Sequence, residues 1–370
     1  MLYKEFQGIR LSRLGMGNMR LPVKNEKIDR VKAREIIDYA MKQGINYYDT
    51  AYVYHQGESE SFLGEALKNY PRDSYYLATK FYVDANPSIE EVFEEQLKRL
   101  GTDYIDFYLL HCVNEETIDK YMDENRHYLD YLKEQKEKGR IRHIGFSSHG
   151  KPETLERFLN WSDCFEFVQI QLNYLDWSLQ NAKRQYEIIT EHGLPVWVME
   201  PVRGGKLASL GEKYDAMLKK EKPEWSIPAW AFQWLMGLDN VTMILSGMTT
   251  MEQIQDNVAT FQKAEPLTEE QTMLLQNVAA GYESSLAVPC TACRYCCDGC
   301  PEKINIPVWM NLYNELSLTK DRDRWEQAMK QENGPEVCIG CGQCTTHCPQ
   351  NIDVPGYLKK LAEGRVFSES

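Results

Sequence analysis

MKQGINYYDT, residues 41–50, carries the alternation that decides the fold: a charged helical end stops at Gly44, and an apolar strand begins at once and finishes on Asp49. Gly at that place supplies the positive φ that ends a helix. The plan returns at KRLG-TDYIDFYLL (98–110), KEKG-RIRHIGFSS (136–148), TEHG-LPVWVME (190–200) and LMG-LDNVTMILSG (235–247). Each strand is a nearly continuous apolar run, as parallel strands covered on both faces require. Counting along the chain gives eight, near 13–17, 45–49, 75–80, 104–110, 141–147, 166–172, 195–200 and 241–246. Helical segments such as 88–99 and 152–159 lie between them, and Ser88 with Glu91 forms a capping box.

Eight strands, each followed by a helix, predict an α/β chain built on a closed (β/α)8 TIM barrel and not an open doubly wound sheet. The open sheet would want G-x-G-x-x-G entering its first helix, whereas Gly15-Met16-Gly17 is followed by Asn18, Met19 and Arg20 and lacks the third glycine. Ahead of the first strand, LYKEF-QG-IRLS reads as a hairpin with Gly8 in its turn, suited to plug the bottom of the barrel.

The 370 residues exceed a barrel of about 250 and leave room for an appendage. Its content is legible in two cysteine runs, CTACRYCCDGCP at 290–301 and CIGCGQCTTHCP at 338–349, each reducible to C-x2-C-x2-C-x3-C-P. That is the thiolate run of cubic iron–sulfur clusters. Three cysteines at steps of three converge in a tightly curled loop, and the fourth, just before Pro301 or Pro349, lies too far along to close the same cage. In two-cluster proteins it crosses over, which assigns Cys290, Cys293, Cys296 and Cys348 to one 4Fe-4S cluster and Cys338, Cys341, Cys344 and Cys300 to the other. In these motifs alone, the tail resembles bacterial two-cluster ferredoxins.

Zinc would also take paired C-x2-C units but leaves the third cysteine of each run and both prolines without a purpose. Disulfides suit exported chains, and MLYKEFQGIR is no basic, apolar leader, so a cytoplasmic location is expected. Oxygen-sensitive clusters fit an anaerobic one. Cys112 and Cys164 sit in apolar runs as small core residues, and Cys297 is a spare beside the first run. Residues 302–337, rich in charged helix formers and carrying Trp309 and Trp325, predict a helical ferredoxin-like module. Ile306-Pro307 and Val354-Pro355 repeat one local plan after each C-P and point to an internal duplication. The division expected is a barrel over 1–283 and a helical two-cluster domain over 284–370.

The formal charge of −13 argues against nucleic acid as a partner, since such binding draws on clustered Lys and Arg. It keeps the chain soluble and suits a basic redox protein. No stretch approaches the roughly 18 consecutive apolar residues of a membrane span.

In barrels of this kind chemistry sits at the carboxyl ends of the strands, where Asp49, Lys80, His111, Ser147, Gln171 and Glu200 stand. Asp49-Thr50-Ala51 with Tyr54, Ala78-Thr79-Lys80 and the strand from Asp106 to His111 resemble the aldo-keto reductases, over residues from about 3 to 262. The resemblance implies a catalytic tetrad of Asp49, Tyr54, Lys80 and His111 and a hydride exchange between NADP or NAD and a small carbonyl or alcohol substrate. The chemistry explains such a set: hydride transfer to a carbonyl leaves an alkoxide that needs a proton, and a phenol with a pKa near 10 is a poor acid at neutral pH. A cationic Lys80 beside the Tyr54 hydroxyl would make it more acidic, and buried Asp49 would keep that ammonium charged. His111 would orient the substrate oxygen or relay the proton.

The resemblance also implies nicotinamide contacts at Ser147 and Gln171, with Met199 where an aromatic usually stacks. Arg203-Gly204-Gly205-Lys206 follows the next strand end and suits a pyrophosphate. The segment from Ser246 to Asn257 matches the adenosine cradle, with Gly247, Thr249, Gln253 and Asn257 at contact positions. Thr250 there replaces the Arg that pairs with a 2′-phosphate, so the sequence does not choose between NADP and NAD. A flavin would fit the same groove, but no motif for one is present. Nicotinamide moves two electrons as hydride while clusters move one at a time. Two readings follow: a carbonyl reductase whose clusters exchange electrons with a partner, or a nicotinamide- or flavin-binding subunit of a larger redox assembly with little turnover alone.

Overall fold

The computed structural model describes residues 1–290 and 294–368; Cys293 lies outside them. The chain divides into two compact units, Met1–Val202 with Glu221–Thr272, and Arg203–Lys220 with Met273–Ser370. A linear division at residue 283 does not anticipate that Arg203–Lys220 groups with the tail.

The first unit is a closed parallel barrel whose strands follow chain order around the ring: Leu14–Gly17, Tyr47–Asp49, Tyr76–Phe81, Ile105–Val113, Ile141–Ser148, Phe167–Gln171, Val196–Met199 and Val241–Ser246. All eight strands expected from the sequence are present. The eighth closes on the first through Ile244 opposite Leu14 and Ser246 opposite Met16. Gly15 leaves room at this seam: a Cβ there would come within 2.6 Å of Leu245 Cδ2 and 2.8 Å of Met243 Sδ, and both side chains would have to shift.

The interior is filled by Tyr47, Phe107, Leu109, Phe167, Trp197, Met243 and Leu245, with Phe167 and Trp197 ring centroids 4.6 Å apart. The antiparallel hairpin Tyr3–Phe6 and Ile9–Ser12 contributes Phe6 and Leu11 to this same core, so it plugs the barrel as its sequence suggested. Its two-residue turn places Gln7 at φ 46° and Gly8 at φ 82°, matching the twist of the flanking strands.

Four of the five helix-stopping glycines, Gly44, Gly101, Gly139 and Gly193, take positive φ, whereas Gly237 stays at −78°. Ser88 caps the helix Ile89–Leu100 by accepting from the Glu91 amide, but the reciprocal capping box is formed by Thr250 and Gln253, at the start of Met251–Thr260.

In the second unit the duplication is visible in the backbone. Short helices Tyr295–Asp298 and Gln343–Thr346 carry Cys296 and Cys344, and Ile306–Thr319 and Val354–Ala362 each begin with Pro in the first turn. Trp309, Met310, Leu316, Leu358 and Leu361 form its core with the buried Cys290, Cys296 and Cys344. Among the described residues no helix is long and apolar enough to cross a membrane.

Candidate active site and cluster cavities

The barrel's second and third strands run in register, Asp49 opposite Ala78, which brings the carboxylate of Asp49 and the ammonium of Lys80 to one level. Lys80 Nζ donates to Asp49 Oδ1 at 2.6 Å and to the Thr50 carbonyl at 2.7 Å, and the Lys80 side chain is wholly buried. Tyr54 follows on a turn in which His55, Gln56 and Gly57 all have positive φ, strain that a packed loop must hold. It places the Tyr54 ring 5.2 Å from Lys80 Nζ and its centroid 5.8 Å from that of His111. All four tetrad candidates therefore meet at one mouth of the barrel.

A buried network braces this arrangement. Gln96 Nε2 donates to the Lys80 carbonyl at 3.0 Å and to Glu60 Oε1 at 2.8 Å, while Glu60 also pairs with Arg99 and Tyr108 donates to Gln96 Oε1. Asn18 Nδ2 holds the Asp49 carbonyl at 2.8 Å. Asp49 Oδ2 and His111 Nδ1 are buried with no hydrogen-bond partner. Polar atoms left open at a strand-end mouth are what a ligand's polar groups would complete.

The electrostatics differ from the sequence expectation in one respect. Burial pushes the Asp49 carboxyl up and the Lys80 ammonium down, each opposed by the other's charge. The Tyr54 hydroxyl is not made acidic: burial first, then the charges of Asp49 and Glu200, hold it well above the ordinary phenol value, with Arg20 pulling the other way. Lys80 Nζ directs its hydrogens to Asp49 and the Thr50 carbonyl, and burial outweighs the nearby cation at Tyr54. His111 is held well below its ordinary value by burial and by Lys80 and His149, so it is neutral near pH 7.

Glu200, at φ 54° just past the seventh strand, joins this mouth; its Oε1 pairs with Arg20 at 3.1 Å and its Oε2 is buried without a partner. Arg20 packs over Gly247, where a Cβ would meet Arg20 Cβ at 3.0 Å. Sequence reasoning passed over Arg20 and His149. Burial and Lys80 push the His149 imidazole down to about 3. Reading two residues beyond Ser147 along the strand end would have found it.

The anticipated nucleotide contacts are engaged within the protein. Ser147 Oγ accepts from the Cys112 amide at 2.8 Å, Gln171 donates to Asp176, and Met199 Sδ lies 3.6 Å from Gln169 Nε2. Gln253 Oε1 accepts from the Thr249 and Thr250 amides, Thr249 Oγ1 donates to the Arg20 carbonyl, and Asn257 donates to Ser246 Oγ. In the second unit, Gly204 and Gly205 take φ 65° and 94°, Arg203 donates to the Pro289 carbonyl at 3.2 Å, and Lys206 Nζ donates to the Cys290 carbonyl at 2.8 Å. The two cations of that loop thus hold the start of the first cysteine run.

The cysteines separate into two cavities. One is lined by Cys338, Cys341, Cys344 and Cys300 together with Glu302 and Gly342. The other is lined by Cys290, Cys296 and Cys348 with Arg294 and Gln350; Cys293, expected here, lies outside the described residues. In each, the last cysteine of one run joins the other run. Crowding with Cys338 and Cys341, after burial, pushes the Cys344 thiol up to about 11, a repulsion that bound iron would reverse.

A closed parallel barrel with charged residues gathered at its strand ends, joined to two thiol-lined cavities, defines an oxidoreductase with an iron–sulfur tail. The chain belongs to the aldo/keto reductase family, whose profile matches residues 13–280, and a 4Fe-4S dicluster domain profile matches 289–352. It is 28% identical over 300 residues to the uncharacterized oxidoreductase YqkF of Bacillus subtilis (strain 168), spanning 72% of this chain and 92% of that one. With the NADH-specific methylglyoxal reductase of Escherichia coli (strain K12) it shares 27% over 300 residues, 68% of this chain and 90% of the relative. Among solved structures, the holo form of aldo-keto reductase AKR11C1 from Bacillus halodurans matches with a TM-score of 0.63 at 30% identity, covering 75% of this chain and 96% of that one.

Proposed function

We propose that the chain interconverts a small carbonyl compound and its alcohol by hydride exchange with a nicotinamide cofactor, with Tyr54 as the general acid, and that two 4Fe-4S clusters exchange electrons with a partner. The observation that carries the first part is the buried Lys80–Asp49 pair under the Tyr54 ring, with His111 beside it. Bound nicotinamide supplies the hydride. Tyr54 stays protonated until charge develops on the substrate oxygen and then gives up its proton, with Lys80 5.2 Å from its ring to oppose the charge left behind. Neutral His111 orients the oxygen. Thr250 is committed to a helix cap and offers a 2′-phosphate no cation, which together with the specificity in the E. coli relative's name favours NADH over NADPH.

The test is anaerobic turnover of NADH and NADPH with methylglyoxal and a panel of small aldehydes. Wild type should oxidise the nicotinamide and Tyr54→Phe should lose at least about a hundredfold in kcat/KM, within the range general acids contribute. Full activity in Tyr54→Phe would overturn the assignment. A second reading, a nicotinamide- or flavin-binding subunit with little turnover alone, is favoured by Met199 standing where an aromatic would stack on the ring and Thr250 where a cation would meet a 2′-phosphate. Tight nucleotide binding without carbonyl reduction by wild type would select it.

A further inference from the structure

The internal duplication lets the two cavities be compared position by position. Cys293-Arg294-Tyr295-Cys296 corresponds to Cys341-Gly342-Gln343-Cys344, and Cys300-Pro301-Glu302 to Cys348-Pro349-Gln350. Gly342 sits at φ 78° and Arg294 at φ 72°, so an arginine occupies a left-handed position that its counterpart fills with glycine. Such a residue costs backbone strain, and strain of this kind collects where a side chain has work to do. Because the last cysteine crosses over, both differences fall with opposite sign. The Cys290 cavity is lined by cationic Arg294 and neutral Gln350; the Cys338 cavity is lined by Gly342 and anionic Glu302. Two further cations hold the backbone at the start of the first run: Lys206 Nζ on the Cys290 carbonyl at 2.8 Å, and fully buried Arg203 on that of Pro289 at 3.2 Å.

We propose that these charges hold the two clusters at different potentials, with the cluster on Cys290, Cys293, Cys296 and Cys348 the higher, and that Arg294, Lys206 and Glu302 set the gap. Reducing either cluster adds one electron and one unit of negative charge. A nearby cation stabilises that added charge and a nearby carboxylate opposes it; Arg294 is exposed and Lys206 and Glu302 are half-buried, so water screens part of the effect. Electrons entering the tail therefore come to rest on the Cys290 side. The inference rests on the two-cluster assignment.

The experiment is a potentiometric titration of the iron-loaded full chain with dithionite, followed by paramagnetic resonance, with iron counted first. About eight iron atoms per chain are expected; a content for only one cluster sinks the assignment and this inference with it. With both loaded, wild type should give two one-electron waves. Arg294→Gly, which copies the other half and relieves the backbone, and Lys206→Gln, which keeps a donor for the Cys290 carbonyl, should each lower only the upper wave. A tenfold fall in the reduced-to-oxidised ratio at the wild-type midpoint, about 59 mV for one electron, is the expected size. Glu302→Gln should raise only the lower wave, and Lys206→Arg should leave both in place. A single wave in the fully loaded wild type, or Arg294→Gly and Lys206→Gln moving the lower wave or neither, overturns the inference and leaves the cluster assignment standing.

Discussion

Replacing Asp49 by Asn keeps the shape of the barrel mouth and removes the carboxylate charge to which Lys80 Nζ donates. The wild-type pair is 2.6 Å apart with 0% and 4% of its side chains exposed, so the substitution leaves a buried ammonium with only the Thr50 carbonyl. Lys80 can escape by shedding its proton, and that escape caps the penalty. From an ordinary value of 10.5, deprotonation near pH 7 costs about 5 kcal/mol at about 1.4 kcal/mol per unit. The expected loss is about 3–5 kcal/mol, which is also the cost of breaking a buried pair from one side. The sign of the pH dependence follows from burial lowering Lys80 in the folded state. Between the folded and unfolded values the unfolded chain binds the extra proton, so raising pH restores stability. By about pH 9 the cap falls to about 2 kcal/mol. Urea unfolding of the barrel, followed by far-ultraviolet circular dichroism at several pH values, measures it. A deficit below about 1 kcal/mol near pH 7, or one that grows toward pH 9, would refute the view that Lys80 is a charged group dependent on Asp49.

With Tyr54 held well above its ordinary pKa and His111 well below its own, neither group titrates between about pH 6.5 and 9. The kcat/KM for carbonyl reduction should be flat over that range, and an inflection near 6.5 that disappears in His111→Gln would show that His111 carries a proton in turnover. Adding reduced nicotinamide anaerobically to the iron-loaded chain should leave the visible cluster absorption unbleached unless free flavin is supplied. Bleaching by nicotinamide alone would show that the chain itself divides the electron pair.

The barrel was legible because its signals are local and repeated: each strand is an apolar run, and four of the five glycines before them adopt the backbone only glycine takes easily. Gly237 was read the same way and does not conform, since a sequence pattern reports what a glycine permits and not what the chain then uses. The tetrad was legible because strand ends share one level in a parallel barrel. The field at Tyr54 was not, because it depends on where Lys80 sends its hydrogens, and that geometry has no sequence signature. Arg203 and Lys206 were read as cations for a phosphate, while their partners lie more than eighty residues further along the chain. Long-range pairings of that kind leave no periodicity to detect. The charge difference between the cavities was present in the sequence all along, at Arg294 against Gly342 and Glu302 against Gln350. It carries meaning only once the crossing of the last cysteine decides which cavity each residue lines.

Carbonyl reduction by hydride asks nothing of iron, so the tail must be accounted for by a demand the barrel's chemistry does not make. Two one-electron sites together hold as many electrons as one hydride delivers, which makes their number suitable for pairing with a nicotinamide reaction. The proposed difference in potential bears on that pairing: equal sites would fill at one potential, whereas sites lined by Arg294 on one side and Glu302 on the other would fill in order and return their electrons in the reverse order. An electron pair arriving as hydride still has to be split by a group that exchanges both ways, and the sequence carries no motif for a flavin. On the proposed reading, coupling of barrel and tail would call on a flavin or a redox protein. A chain of net charge −13 would attract a basic partner at moderate ionic strength and release it in salt.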